Sequence, residues 1–480
     1  MLAEAAGSAV VLAYAAATLT LAALGVHALV MTALRVSHRP RPLRTAPIPT
    51  PAPTAVVQIP VYDEPPALVA RALDHALALE WPGRVEVQLL DDSPPTARRR
   101  NAELCATRGV RHLARTGRDG FKAGALGWGL AHTDATLAAV FDVDFRPAPG
   151  TLLHLAAPLL ADPGLAFVQA RWSHAPDSAL GQAEAAVLDL HFAVEQTGRD
   201  RAGLPVLFNG TAGLWRVAAI EDAGGWRGDT LAEDLDLTVR ALARGWRSRL
   251  ADVSVPADLP PTVAAWRRQQ ARWAKGLAEV ARLHAGTLWR SGLGVASKLA
   301  LSAHAALSLS LPSLLALVVL HPLAATTAGL GAAADAVQSV LAVGYVGLGG
   351  VVAAHAVTMR ALGLGWRRVG RVPLALVAPL VLVVPATRAV AQAVLGRRSA
   401  FARTPKVPRD DAEAGGAEVA LAAWSALGLA ALVGLGVWEA VPFQVLLTVG
   451  TVGAAVAVRW PVRAVEPPAA FEPGPVRAAA

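Results

Sequence analysis

Residues 137–144 read Leu137-Ala138-Ala139-Val140-Phe141-Asp142-Val143-Asp144. A short apolar run of this length fits a buried strand, and it ends in two aspartates at i and i+2. Alternation along an extended chain places both carboxylates on one side, where they can chelate a hard divalent cation that also binds a diphosphate. Asp-x-Asp alone is a common coincidence, so the surroundings decide. Upstream, Val85-Glu86-Val87-Gln88-Leu89-Leu90 runs into Asp91-Asp92-Ser93, and Ala55-Val56-Val57-Gln58-Ile59 is a third short run, with a helical stretch from Ala67 to Ala78 between the two. Strands alternating with helices over residues 54–290 predict an α/β domain built on a mostly parallel sheet flanked by helices on both faces. In that architecture nucleotides bind beyond the carboxyl ends of the strands, where Asp91 and Asp92 fall. Taken alone, Asp-Asp-Ser reads better as an Asx turn or helix cap.

Outside this domain the chain changes character. Of 480 residues, 54% are hydrophobic and 17% charged, and the mean hydropathy is +0.43, which excludes a disordered chain and a purely soluble enzyme. No charged residue occurs from Ala5 to Leu34, enough to cross a bilayer. Glu4 precedes this run and Arg35, Arg39, Arg41 and Arg44 follow it. That asymmetry predicts an anchor with its N-terminus outside and a cytoplasmic domain after it, rather than a cleavable signal peptide. Residues 35–53 are a proline-rich cytoplasmic linker.

Beyond Lys298, apolar runs return at Leu299–Leu320, Val337–Met359, Val372–Leu395, Val419–Trp438 and Val441–Val458. Two spans are expected within 291–360 and two within 419–459. The run from Val372 contains Pro373, Pro379, Pro385 and Arg388 and has basic clusters at both ends. Both clusters stay inside if residues 361–418 form an interfacial or re-entrant segment, giving five crossings and a cytoplasmic tail at 460–480. Six crossings is the alternative.

Two more clusters carry chemistry. Glu233-Asp234-Leu235-Asp236 precedes a helical run from Leu237 to Ala243; acidic residues there complement the helix dipole, or one of them acts as a general base. Gln269-Gln270-Ala271-Arg272-Trp273 lies between the domain and the membrane. It reads as an interfacial belt, or as Arg272 neutralising a diphosphate with the Trp273 ring stacked on a sugar.

Asp-Asp, Asp-x-Asp, Glu-Asp and Gln-x-x-Arg-Trp in this order resemble the processive family 2 glycosyltransferases, and more closely the cellulose synthase-like A branch of β-mannan and glucomannan synthases with their bacterial relatives. Val57-Gln58-Ile59-Pro60, Gln88 to Ser93, Val168-Gln169-Ala170-Arg171-Trp172, His191-Phe192, Glu195-Gln196 and Phe208-Asn209-Gly210-Thr211-Ala212-Gly213 carry the resemblance over residues 55–280. It implies a GT-A type domain with Mg²⁺ or Mn²⁺ as cofactor. The implied donor-nucleotide residues are Glu64, Asp91, Asp92, Lys122 and Asp142, and the implied metal ligand is Asp144. Asp234 is the implied catalytic base, and Glu233, Gln269, Arg272 and Trp273 face acceptor and diphosphate. Phe401-Ala402-Arg403-Thr404-Pro405-Lys406 resembles a loop that closes over the nucleotide, with Phe401, Arg403, Thr404 and Lys406 as its gating residues. Asp63 stands where the family usually has Asn, and Pro94-Pro95 where it has a Thr-Asp pair.

The resulting expectation is an inverting hexosyltransferase in the inner cell membrane, using UDP-glucose or GDP-mannose to extend a β-linked polysaccharide. Single transfer to a membrane lipid, as in ceramide glucosyltransferases, is the alternative, and a non-enzymatic channel or transporter is a third reading. Residues lacking such context are read plainly. His27, His304, His321 and His355 have no ligand spacing; Arg98-Arg99-Arg100 is a solvated face, so nucleic acid is not a partner; Gly127 and Gly129 are misplaced for a dinucleotide fingerprint. The single cysteine, Cys105, excludes an internal disulfide.

Overall fold

The computed structural model describes residues 2–176, 178–329, 334–365, 372–397 and 415–459. Phe401, Arg403, Thr404 and Lys406 lie outside the described residues, as does the tail from 460. Strands β1 (Ala55–Val61), β2 (Val85–Asp91), β3 (Arg111–Ala114), β4 (Leu137–Val140), β5 (Leu165–Ser173), β6 (Gly213–Arg216) and β7 (Arg247–Pro256) form one sheet in the order β3-β2-β1-β4-β6-β5-β7. Pairings are parallel except at β6, which runs antiparallel to both β4 and β5. The fold is a GT-A-like mixed sheet flanked by helices.

Helices cover both faces of the sheet, which is why β4, and β1 apart from Gln58, are apolar runs. On one face Val57, Ile59, Leu137 and Ala139 pack under Leu73 of helix Pro66–Leu77 and Leu152 and Leu155 of helix Thr151–Ala161. On the other, Val56, Leu90 and Ala138 meet Leu126 of helix Phe121–Leu130, Trp215, and Leu237 of helix Glu233–Ala243. Each fully buried Val, Ile or Leu contributes about 1.5–3 kcal/mol.

With both faces apolar, hydrophobicity alone does not fix the β1–β2 register. Two glutamines do. Gln58 and Gln88 are register partners with no exposed surface. Gln58 Nε2 donates to Gln88 Oε1 and to the Leu126 carbonyl, both at 3.2 Å, and Gln88 Nε2 donates to Gly129 O at 3.2 Å. A slip by one residue would strand these groups at about 1–3 kcal/mol each. The contact also requires glycine at 129, because a Cβ there would lie 2.4 Å from Gln58 Nε2.

Among the described residues, five helical segments are long and apolar enough to cross a membrane: Ala6–Ser37, Val295–Thr327, Ser339–Ala361, Gly416–Gly434 and Val441–Arg459. Helix Val372–Val394, with Pro379 and Pro385 inside it, packs along helix Val263–Arg290 and also against helices Ser310–Gly329 and Val441–Arg459. Helix Val263–Arg290 joins the α/β domain to the membrane helices. Thr262 caps its start by accepting the Ala265 N–H at 3.0 Å. Arg267 fastens it, donating at 2.6 Å to the Val381 carbonyl and at 2.6 Å to Glu418, which is also buried.

Candidate active site

The parallel strands β2, β1 and β4 lie side by side, so their carboxyl ends present Asp91–Asp92, Tyr62–Glu64 and Asp142–Asp144 along one edge of the sheet. The reversed strand β6 delivers the loop Asn209–Ala212 to the same edge. Helix Glu233–Ala243 starts beside it, and helix Val263–Arg290 passes over it. One cavity results. Its walls include Glu64, Asp92, Lys122, Asp142, Asp144, Glu233, Asp234, Gln269, Arg272 and Trp273, which are distant in sequence.

Asp91 does not line this cavity. It is 1% exposed, and its oxygens accept from Ser93 N at 2.9 Å and Asn101 Nδ2 at 3.0 Å, with His112 Nε2 2.8 Å away. Burial raises its pKa, but His112, Ser93 and Asn101 outweigh that and hold it below the usual value. Its observed contacts shape the loop that presents Asp92. Asp92 is gripped by Arg115 through two hydrogen bonds, Nε to Oδ1 at 2.9 Å and Nη2 to Oδ2 at 2.5 Å. Arg118 lies 3.4 Å over the centroid of the Tyr62 ring at the same end of the cavity. Asp63 adopts a left-handed backbone, φ 50°, and its N–H donates to Ser93 Oγ at 2.9 Å. Asn and Asp both tolerate that conformation, so the departure at position 63 preserves the turn.

At the centre Lys122 Nζ donates to Asp142 Oδ1 at 2.7 Å and to Gly210 O at 3.0 Å, and lies 3.8 Å from Glu233. Burial pulls this ammonium down, but Asp142 and Glu233 together more than restore it, so it titrates above its ordinary value. Asp142 N–H donates to Thr211 Oγ1 at 2.8 Å. Gln169, in the buried middle of β5, accepts from Asn209 N at 3.1 Å and donates to Thr211 O at 3.0 Å, fixing the Asn209–Ala212 loop.

Asp234 occupies the first turn of helix Glu233–Ala243 and accepts the Leu235 N–H at 2.8 Å. Burial, then the neighbouring Glu233 charge, raises its carboxyl to about 7. Such a group can take up and release a proton near neutral pH. Burial lowers the Arg272 pKa by more than the charges of Glu233, Asp142, Asp234 and Asp144 raise it, and its guanidinium lines the same cavity as all four carboxylates. The Trp273 ring centroid is 6.5 Å from that of Trp172, which packs edge-on against Phe145.

Sequence reasoning assigned no role to Tyr62, Arg115, Arg118, Trp172 or Asn209. Trp172 and Asn209 lay inside segments that carried the family resemblance. Arg115 and Arg118 gave no signal, because a basic residue in a loop reads as solvated until the fold brings it against Asp92 and Tyr62.

Comparison with known proteins points to the class of domain. Residues 56–220 match the model of glycosyl transferase family 2, and residues 139–330 match that of glycosyl transferase family group 2. The probable glucomannan 4-beta-mannosyltransferase 7 of Oryza sativa subsp. japonica is 41% identical over 244 residues, which is 48% of this chain and 41% of the relative. Glucomannan 4-beta-mannosyltransferase 2 of Arabidopsis thaliana is 40% identical over 243 residues, 48% of this chain and 45% of the relative. The chain thus spans less than half the length of these two curated relatives. Among solved structures, the mannosyltransferase PcManGT from Pyrobaculum calidifontis, in complex with GDP-Man and Mn²⁺, superposes with a TM-score of 0.53 at 22% identity, covering 80% of this chain and 100% of that chain. It shares the fold. The fold and the cavity define a GT-A glycosyltransferase domain beside membrane-type helices. Residues 56–330 carry the match to the family 2 glycosyltransferase models, and over about half of its length the chain is similar to glucomannan 4-beta-mannosyltransferases, which are of the cellulose synthase-like A type.

Proposed function

We propose that the protein transfers mannose from GDP-mannose onto a growing β-linked polysaccharide of mannan or glucomannan type, at the cytoplasmic face of the inner cell membrane. One observation carries the reading: Asp234, raised to about 7, shares a single cavity with Asp142, Asp144, Arg272 and Trp273. The names of the glucomannan mannosyltransferase relatives favour mannose over glucose. Basic residues after the first apolar helix support the cytoplasmic assignment.

Within this reading Asp92, Glu64 and Tyr62 face the nucleotide, Lys122 and Asp142 its ribose and phosphates, and Trp273 the terminal sugar of the acceptor. Asp144 and Asp142 suit Mg²⁺ or Mn²⁺, because both offer hard oxygen donors at the sheet edge. Such an ion is ordinarily held by one or two carboxylates and completed by phosphate oxygens and water. Among the described residues, no group of three His, Cys, Asp or Glu is set to hold a metal unaided. When bound, the ion would neutralise charge on the departing diphosphate.

Arg272 supplies a second positive charge at the same place. Asp234 accepts the proton of the acceptor hydroxyl as its oxygen bonds to the anomeric carbon. The bond from that carbon to the phosphate oxygen breaks, and its electron pair leaves with the diphosphate. Attack from the opposite face inverts the configuration, so an α-linked donor yields a β-linkage. The test is a donor panel: purified protein in lipid nanodiscs with GDP-mannose or UDP-glucose, with Mg²⁺, Mn²⁺ or chelator. Metal-dependent GDP release from GDP-mannose is expected. Intact donors across the panel, with demonstrably folded protein, would overturn the reading.

A further inference from the structure

Helix Val263–Arg290 contributes Gln269, Arg272 and Trp273 to the cavity, but its role extends past them. Arg272, Gly276 and Glu279 follow at i, i+4 and i+7, a single stripe along the helix. The stripe runs beneath Leu231 and Ala232, the two residues before the acidic pair Glu233–Asp234, and all four line the cavity. At Gly276 the backbones touch. A Cβ there would lie 2.8 Å from Ala232 Cβ, 2.9 Å from Ala232 N and 3.0 Å from the Leu231 carbonyl carbon. One turn further, Glu279 Oε2 accepts the Leu231 N–H at 2.8 Å.

Glu279 is 8% exposed, and Lys275, 2% exposed, places its Nζ 3.9 Å from it. That Nζ also donates to the Arg397 carbonyl at 2.9 Å and to Gln392 Oε1 at 3.3 Å, just past and at the end of helix Val372–Val394. The hydrogen bonds and ion pair thus run unbroken from that helix, through Lys275 and Glu279, to the peptide preceding the proposed base.

We infer that Glu279 is a positioning residue: with Gly276 below it and Lys275 beside it, it clamps the Leu231–Asp234 turn and so sets where the Asp234 carboxylate meets the acceptor. The inference rests on the proposed glycosyl transfer for its kinetic consequence, but not for its structural one. A base displaced by about 1 Å costs on the order of 10²-fold in rate, while Glu64, Asp92 and Asp142, carried by the sheet edge, keep their places in the cavity, so donor binding is largely spared.

The experiment compares wild type, Glu279→Ala and Glu279→Gln in nanodiscs. Glutamine keeps an oxygen that can accept the Leu231 N–H; alanine does not. Amide exchange over residues 229–236 should accelerate in the alanine variant and stay near wild type in the glutamine variant, with peptides from β1 and β2 unchanged in both. With GDP-mannose, alanine should lower kcat by about 10–100-fold at a donor KM within about twofold of wild type, and glutamine should recover most of the loss. Unchanged exchange at 229–236 in Glu279→Ala would overturn the inference. So would a kcat loss that glutamine does not rescue. Should the wild type consume no donor, the functional reading fails while the exchange result still decides the clamp.

Discussion

The acidic limb of the pH–rate profile should move when Glu233 loses its charge. Asp234 is raised to about 7 by burial first and by the Glu233 charge second, with Lys122 opposing. A base must be ionised to work, so kcat/KM should climb as pH rises through about 7 and level off above it. Glu233→Gln leaves the burial in place but removes the like charge, which should lower the Asp234 pKa by about one unit. At pH 6 the ionised fraction then rises from roughly a tenth to roughly a half, a gain of about fivefold relative to each protein's own high-pH plateau. Lys122→Met should shift the limb the other way, because it removes the cation that favours the carboxylate. The assay is GDP release from GDP-mannose between pH 5 and 9, each variant normalised to its plateau. An acid limb that stays put in Glu233→Gln, or moves upward, would refute the assignment of Asp234 as the titrating base.

Further outcomes follow from the same geometry. Asp234→Asn should cut kcat by about 10²–10⁴-fold, while calorimetric binding of GDP persists. Arg272→Lys keeps the charge but loses the planar fork, and kcat should still fall by about 10²-fold, read in the same release assay. Gly129→Ala, which drives a Cβ to 2.4 Å from Gln58 Nε2, should destabilise the domain by about 1–3 kcal/mol, seen as a lower unfolding temperature by intrinsic fluorescence. Chelation should abolish turnover, and Mn²⁺ or Mg²⁺ should restore it.

Much of the fold was legible because the strands carry their own signature. Ala55–Ile59, apart from Gln58, and Leu137–Phe141 are apolar on both faces, as a helix-covered, largely parallel sheet requires. The antiparallel β6 was not legible, since Gly213-Leu214-Trp215-Arg216 is short and its direction is set by the loop that Gln169 holds. The acidic groups could be picked out because carboxylates closing apolar runs are conspicuous. The difference between Asp91 and Asp92 could not: adjacent and identical in type, they diverge only through Asn101, His112 and Arg115, supplied by the helix, strand and loop that follow. Glu279 was invisible for the same reason, as its partner is a backbone N–H some fifty residues away.

The most direct test of the account is the size and anomeric configuration of the product made by purified protein in vesicles from GDP-mannose and a divalent cation. The account predicts chains of many sugars, β-linked by NMR and cleaved by an endo-β-mannanase. A single mannose on lipid, or α-linkages in the product, would contradict it.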